Sequence, residues 1–309
     1  MDLNALARSV AAYKGVDASE FQRSARVLQS LWREEQGFEI GEHAGNQLGS
    51  RLQMPWAQKE LANFITPTVR DVVRREVLDS VRSTGKLYGK PRFFNDLLSS
   101  QPLCFNLFAE LSLDLGLASR VIGDLTAQRF VSVTGIDFEY SPGRRDPRYL
   151  SDRSAFDVFV RCQTAVGGTG FIGIEVKYHE NLLGPTAEHK TRYDEVADEM
   201  GCFSTDRRPL RQTPIQQIWR DHLLTGITRI QDGYDDGLFV TLYPARNLHV
   251  KTALAEYRQQ LTSDDTFGAW TLEQFVAGLR EHTQAAWVDT FEDRYLAFDK
   301  VDRRLDDAD

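Results

Sequence analysis

Two strand-like runs joined by a glycine-rich turn limit what this chain can fold into: Ser154-Ala155-Phe156-Asp157-Val158-Phe159-Val160 and Phe171-Ile172-Gly173-Ile174-Glu175-Val176-Lys177-Tyr178. In the second run Ile172, Ile174 and Val176 alternate with Gly173, Glu175 and Lys177, the period of a pleated strand. The apolar set can face a core while Glu175 and Lys177 project together from the other face. Between the runs, Gly167-Gly168-Thr169-Gly170 suits a hairpin turn. Folding the hairpin brings Asp157 near Glu175. Two carboxylates and an ammonium on one small patch make a site for a divalent metal ion with a counter-charge built in.

A chain of 309 residues has room for one large domain, or for a core domain with a smaller addition. No apolar run approaches the roughly 18 residues of a membrane-spanning helix. The segment Met1-Asp2-Leu3-Asn4-Ala5-Leu6-Ala7-Arg8 lacks the basic start and apolar block of a secretory signal. Cys104, Cys162 and Cys202 are too scattered for a disulfide framework or a thiolate zinc site. A cytoplasmic protein is the simplest expectation. The net charge of −8 argues against an indiscriminate nucleic-acid binder. The charge is uneven, however. From Val69 to Arg92 seven basic residues face three acidic ones, whereas Asp289 to Asp309 holds eight acidic and four basic residues. The basic stretch can hold a phosphate backbone or can be a solvated helix face.

The first hundred residues look helical. Asp17-Ala18-Ser19-Glu20 resembles a capping box, with Phe21, Ala25, Leu28, Leu31 and Trp32 following at helical spacing. Further helices are expected at about 55–65, at 68–83 after Pro67, and from Leu103 to Leu125, the last carrying Glu110 and Asp114. Strands are expected from Phe130 to Tyr140, Ala155 to Cys162 and Gly170 to Tyr178. A loop with Arg144, Arg145, Arg148 and Arg153 separates the first two. Helical pattern returns at about 186–200 and after Pro214, a strand follows at Gly237–Tyr243, and residues 250–300 read as two or three helices. Meandering strands followed by a helical crossover to another strand imply an α/β fold with a mixed sheet and helices on its faces.

Mg²⁺ takes hard oxygen ligands and keeps several waters, so one or two carboxylates plus a substrate phosphate suffice to hold it. Asp157 and Glu175 meet that need, and the backbone carbonyl of Val176 lies between the functional residues; Mn²⁺ can substitute. Such a metal activates water and polarises a phosphate. Lys177 beside the carboxylates can hold the attacking water or offset charge growing on the phosphorus oxygens.

Asp157 followed by Glu175-Val176-Lys177 resembles the motif of the PD-(D/E)xK phosphodiesterase superfamily, which includes restriction endonucleases and RecB-type nuclease domains. More narrowly, Phe105-Asn106-Leu107-Phe108-Ala109-Glu110-Leu111, Ser141-Pro142-Gly143-Arg144-Arg145 and Gln217-Ile218-Trp219-Arg220-Asp221-His222 are similar to a bacterial branch of restriction-endonuclease-like proteins. The resemblance implies an αβββαβ core, matching the order read from 103 to 243. It does not cover the first hundred residues. The implied organisation is a helical region over 1–95, a nuclease core over 96–245 and a helical region packed on the core over 246–309. The resemblance makes Asp157 and Glu175 the metal-binding acids and Lys177 the catalytic lysine. It also points to an auxiliary acid on the preceding helix, Glu110, with Glu139 as competitor. A polar residue on the later helix completes such sites: Gln217, with Gln216 second. Arg220, Arg144 and Arg145 would then contact phosphate. Phe156 stands where many members carry proline.

Asp-x17-Glu-x-Lys alone also describes a surface ion pair on a solvated sheet face. Glu110 and Gln217 are equally well read as solvent-facing helix residues. His179 and His222 stand outside any metal-ligating spacing and are read as structural, and Tyr178 and Trp219 as packing residues. The expected activity is a Mg²⁺-dependent nuclease, on DNA before RNA, in defence against foreign DNA or in repair. Its helical N-terminal region would bind substrate, a partner protein or a second protomer. The alternatives are a non-cleaving nucleic-acid-binding module of the same fold and a phosphodiesterase for a small nucleotide.

Overall fold

In a computed structural model, residues 2–306 are described; Met1 and residues 307–309, the last of the acidic stretch, lie outside them. Contacts divide the chain into two units. One takes the residues up to Glu110 together with those from Gln284 onward, and the other runs from Leu111 to Thr283.

The first unit contains α1 (Leu3–Ser9), α2 (Glu20–Glu35), β1 (Ile40–His43), β2 (Asn46–Leu52), α3 (Trp56–Glu60), α4 (Pro67–Val73) and α5 (Arg92–Asn95). Ser19 caps α2 and forms a reciprocal capping box with Gln22, two residues after the box expected from Asp17 to Glu20. After α4 the chain continues as one π-helical turn, Arg74–Leu78. The β1–β2 hairpin departs from the expected all-helical region. Its turn uses Ala44 and Gly45 at φ of 51° and 79°, a left-handed pair that lacks the Asn-Gly signature of such turns. Trp32, Leu52, Ala57, Ala62 and Leu97 form a small apolar core.

α6 (Ser100–Leu113) carries the chain into the second unit, and α7 (Leu115–Leu125) follows. The single helix expected over 103–125 is thus two, because Asp114 leaves helical geometry and its side chain caps the Leu117 N–H at 2.8 Å. Then come β3 (Phe130–Tyr140), β4 (Phe156–Thr164), β5 (Thr169–Val176), α8 (Thr191–Met200), α9 (Gln216–Gln231), β6 (Asp236–Tyr243), α10 (Leu248–Arg258), β7 (Phe267–Thr271) and α11 (Leu272–His282). α12 (Ala286–Tyr295) and α13 (Asp299–Asp306) return to the first unit. Residues 246–283 therefore group with the sheet and 284–306 with the N-terminal helices. β7 falls where only helices were expected: five residues including Gly268 are too short to show a strand period.

The five strands are ordered β3-β4-β5-β6-β7. β3, β4 and β5 pair antiparallel, and β5, β6 and β7 pair parallel. The expected mixed sheet flanked by helices is present. On one face Phe159, Phe171 and Phe239 pack with residues of α8, α9 and α10, among them Tyr193, Trp219, Leu223 and Tyr257. Gly173 belongs to that face, where an added Cβ would stand 2.3 Å from the Phe156 ring. The residues of β5 alternate as expected, yet from Gly170 to Val176 all are buried because helices cover both faces.

Candidate active site

The β4–β5 register sets Val158 opposite Ile174, so Asp157 falls beside Glu175 where β5 ends. Asp157 completes the ladder there with its side chain, whose Oδ2 accepts the Val176 N–H at 2.9 Å. Glu175 and Lys177 emerge on one face, and the Lys177 Nζ donates to Glu175 Oε1 at 2.7 Å. From α9, the Nε2 of Gln217 donates to the same oxygen at 2.9 Å. The sequence-derived Asp157, Glu175, Lys177 and Gln217 are thus one cluster. Glu175 and Lys177 are only 9% and 7% exposed, which removes the solvated surface ion pair as an account of them.

Burial, and after it the charge of Glu175, pushes the Asp157 carboxyl well above the usual carboxylate range, while Lys177 pulls it back. For Lys177 burial works against the charged form, but Glu175, Glu180 and Asp157 outweigh it and raise the ammonium's pKa. Asp221, four residues past Gln217 and therefore on the same side of α9, is 5% exposed. Its carboxyl is also pushed well up, by burial first and by Glu175 second. One ammonium thus stands among more carboxylates than it can neutralise.

This donor set suits a hard divalent cation. Asp157 and Glu175 offer carboxylate oxygens next to the Val176 carbonyl, and Arg220, whose charge also acts on Asp221, is itself held by Asp152. Among the described residues no group of three or more His, Cys, Asp or Glu is arranged to ligate a metal. The remaining coordination positions fall to water and substrate.

The other expected residues have definite placements. Glu110 lies in the first unit, where its carboxylate accepts a hydrogen bond from Thr66 Oγ1 at 2.6 Å. Glu139, at φ 48°, pairs with Arg144 at 3.2 Å, and its charge adds to those acting on Asp157. Gln216 turns away from the cluster and brackets Ala187, accepting its N–H at 2.7 Å and donating to its carbonyl at 2.6 Å. Arg220 is engaged by Asp152 at 3.2 Å and by Ser154 Oγ at 2.8 Å. Arg145 is exposed. Tyr178 and Trp219 are fully buried packing residues. His222 is buried between Tyr257 Oη and Thr266 Oγ1, each at 2.8 Å, as a structural group. Gln217 itself is exposed and lines a small cavity of about 80 Å³ between Leu182–Thr186 and Thr213–Gln217, beside the cluster.

Three residues at the cluster were not singled out from sequence. Asp221 shares the helix face of Gln217, and that i, i+4 spacing was the available signal. Thr241 is the register partner of Glu175 on β6. Asn247, fully buried, donates to the carbonyls of Tyr178 at 3.1 Å and Glu180 at 3.0 Å, fixing the segment that follows Lys177.

A family model described as the PD-(D/E)XK nuclease superfamily matches residues 16–297. The chain belongs to the PD-(D/E)XK nuclease superfamily. The match takes in the first hundred residues from 16 onward, which the motifs between 103 and 243 had left aside. No curated protein and no solved structure matches the chain. Members of this superfamily are generally nucleases or phosphodiesterases and usually work with divalent metals. No helix among the described residues is long and apolar enough to cross a membrane.

Proposed function

We propose that this protein is a Mg²⁺-dependent nuclease that hydrolyses the phosphodiester backbone of nucleic acid, DNA in preference to RNA, with Asp157, Glu175 and Lys177 as its catalytic centre. The observation that carries the reading is the buried cluster in which Asp157 and Glu175 meet a single charged lysine at the exposed Gln217. Asp157, Glu175 and the Val176 carbonyl would hold the cation, for which Mn²⁺ can substitute. When bound, the cation supplies Lewis-acid polarisation of the phosphoryl oxygen and neutralises charge on the leaving oxygen.

The chain's own residues do the rest. Lys177, kept protonated by its carboxylates, donates a hydrogen bond to the attacking water or to the phosphoryl oxygen as charge grows on it. Gln217 holds Glu175 Oε1 from the helix side, so the carboxylate keeps one orientation. Of the two candidate auxiliary acids, Glu139 is the one whose charge acts on Asp157, while Glu110 is held by Thr66 Oγ1. Arg145 is ready to meet a phosphate, while Arg144 and Arg220 must first exchange Glu139 and Asp152 for it. The choice of DNA, and a role in defence or repair, rest on the superfamily alone. A partner protein or second protomer at the N-terminal region belongs to the same level of inference.

The test incubates wild type and Lys177→Ala with circular DNA, linear DNA and RNA in Mg²⁺, Mn²⁺ or EDTA. The expected outcome is metal-dependent cleavage of DNA that EDTA abolishes and that Lys177→Ala lowers about a hundredfold or more. Activity that survives EDTA, or an undiminished Lys177→Ala variant, overturns the reading.

A further inference from the structure

Two oxygen atoms at the cluster have no partner although both are sealed from solvent. Asp221 Oδ2 and Thr241 Oγ1 are buried and make no hydrogen bond, on residues 5% and 1% exposed. A buried polar oxygen left without a partner is destabilising, so a ligand that pairs with it there is favoured.

Their position says which ligand. Thr241 sits directly beside Glu175 in the parallel β5–β6 register, on the same face of the sheet. Asp221 lies one helical turn beyond Gln217, whose amide reaches Glu175, and Glu175 is the charge that acts most strongly on it. The two orphaned oxygens are therefore carried by neighbours of the carboxylate proposed to hold the cation. Hydroxyl and carboxylate together can accept two hydrogen bonds and return one, the demand of a bound water.

We propose that Asp221 and Thr241 form an outer oxygen site that receives the hydration shell of the divalent cation held at Asp157 and Glu175. The proposal rests on the metal-dependent reading above and assigns to it two residues that act through water, not by direct ligation. Mg²⁺ surrenders its waters reluctantly, so a site offering few protein ligands gains affinity from fixed acceptors behind those waters. Asp221 and Thr241 are positioning residues in this scheme.

The test is cation binding by the intact protein, read as the Mn²⁺ and Mg²⁺ concentration that half-saturates the rise in unfolding temperature, with no nucleic acid present. Wild type, Asp221→Asn, Thr241→Val and Glu175→Gln are compared. Asp221→Asn keeps the shape of the side chain and relieves repulsion from Glu175, so without metal it should unfold no earlier than wild type. Its half-saturating Mn²⁺ concentration should rise about tenfold or more. Thr241→Val should shift the same way by a smaller factor, and it carries the test alone if Asp221→Asn does not fold. Glu175→Gln should abolish the response. If both Asp221→Asn and Thr241→Val bind the cation as wild type does while Glu175→Gln does not, the outer site is overturned and the nuclease reading stands. A loss of metal-free stability with unchanged cation binding makes the pair a structural bridge and overturns it equally. A wild type with no saturable response overturns the outer site, and the nuclease reading is then decided by the EDTA and Lys177→Ala cleavage assay alone.

Discussion

Asp157 serves two ends with one carboxylate. Its Oδ2 takes the place of a ladder acceptor for Val176, and its charge is what burial and Glu175 make costly. Asparagine can keep the first role, since its side-chain oxygen still accepts the Val176 N–H, while removing the charge. Asp157→Asn is therefore expected to fold with unchanged far-ultraviolet circular dichroism and an unfolding temperature at least equal to wild type in EDTA. Its metal-dependent cleavage should fall by about two orders of magnitude or more. A variant that unfolds early would show that the charge stabilises the hairpin after all. At this scale the sequence was legible where a strand period fixes side-chain direction, as for Asp157, Glu175 and Lys177. It was not legible for Asp221, because α9 carries Gln217, Arg220 and Asp221 on neighbouring positions and only packing decides which turn toward the sheet.

Among the elements, α9 is the one that ties the site to the rest of its unit. Gln217 reaches β5, and one turn later His222 is locked to Tyr257 of α10 and to Thr266 ahead of β7. Burial pushes the His222 imidazole down to about 3. The folded chain keeps it neutral while an unfolded chain protonates it near 6.5. Between those values the unfolded state binds the extra proton, so this residue's contribution to stability is complete above about pH 6.5 and declines as pH falls toward 3. From pH 6.5 to 5 the decline should amount to about 2 kcal/mol. Asp157 and Asp221, with raised carboxyls, act in the opposite direction as pH falls. The measurement is therefore the difference between wild type and His222→Gln in urea midpoint at the two pH values. The variant should start less stable and lose less on acidification; parallel losses would place the proton elsewhere. Strand order and crossover could be read from the chain, since β3 to β6 each span eight residues or more. β7 and the β1–β2 hairpin could not, since neither five residues nor an Ala-Gly turn leaves a periodic trace.

For the whole molecule, the grouping of residues from Gln284 onward with the N-terminal helices is a consequence that no local pattern carries. Arg294 is fully buried, lies over the Trp32 ring at 4.3 Å and donates to the Asn63 carbonyl at 2.7 Å. Its own carbonyl accepts from Gln29, and Tyr295 Oη accepts from Asn106 at 2.8 Å. The sequence shows only an acidic tail with a helical period. A chain ending at Thr283 should leave these groups unpaired, and removing buried aromatic and guanidinium packing costs several kcal/mol. Limited proteolysis is expected to cut such a chain within residues 17–110 at protease levels that leave wild type intact, with the 111–283 unit cleaved no faster. Equal resistance of both chains would show that the last helices are dispensable.

The parallel pairing of β5 with β6 has one more consequence. Both strands finish at the same edge of the sheet, and the chain leaves that edge by two separate routes, through 177–190 toward α8 and through 244–247 toward α10. The acids belong to the strands and the lysine to the first residue beyond β5, whereas the cavity beside Gln217 is walled by Leu182–Thr186 of the first route and by the turn ahead of α9. The catalytic side chains and the cavity wall thus lie on different parts of the backbone. Exchanging residues 182–186 alone should therefore reshape the cavity while Lys177 and the Asn247 hold on the Tyr178 and Glu180 carbonyls stay in place.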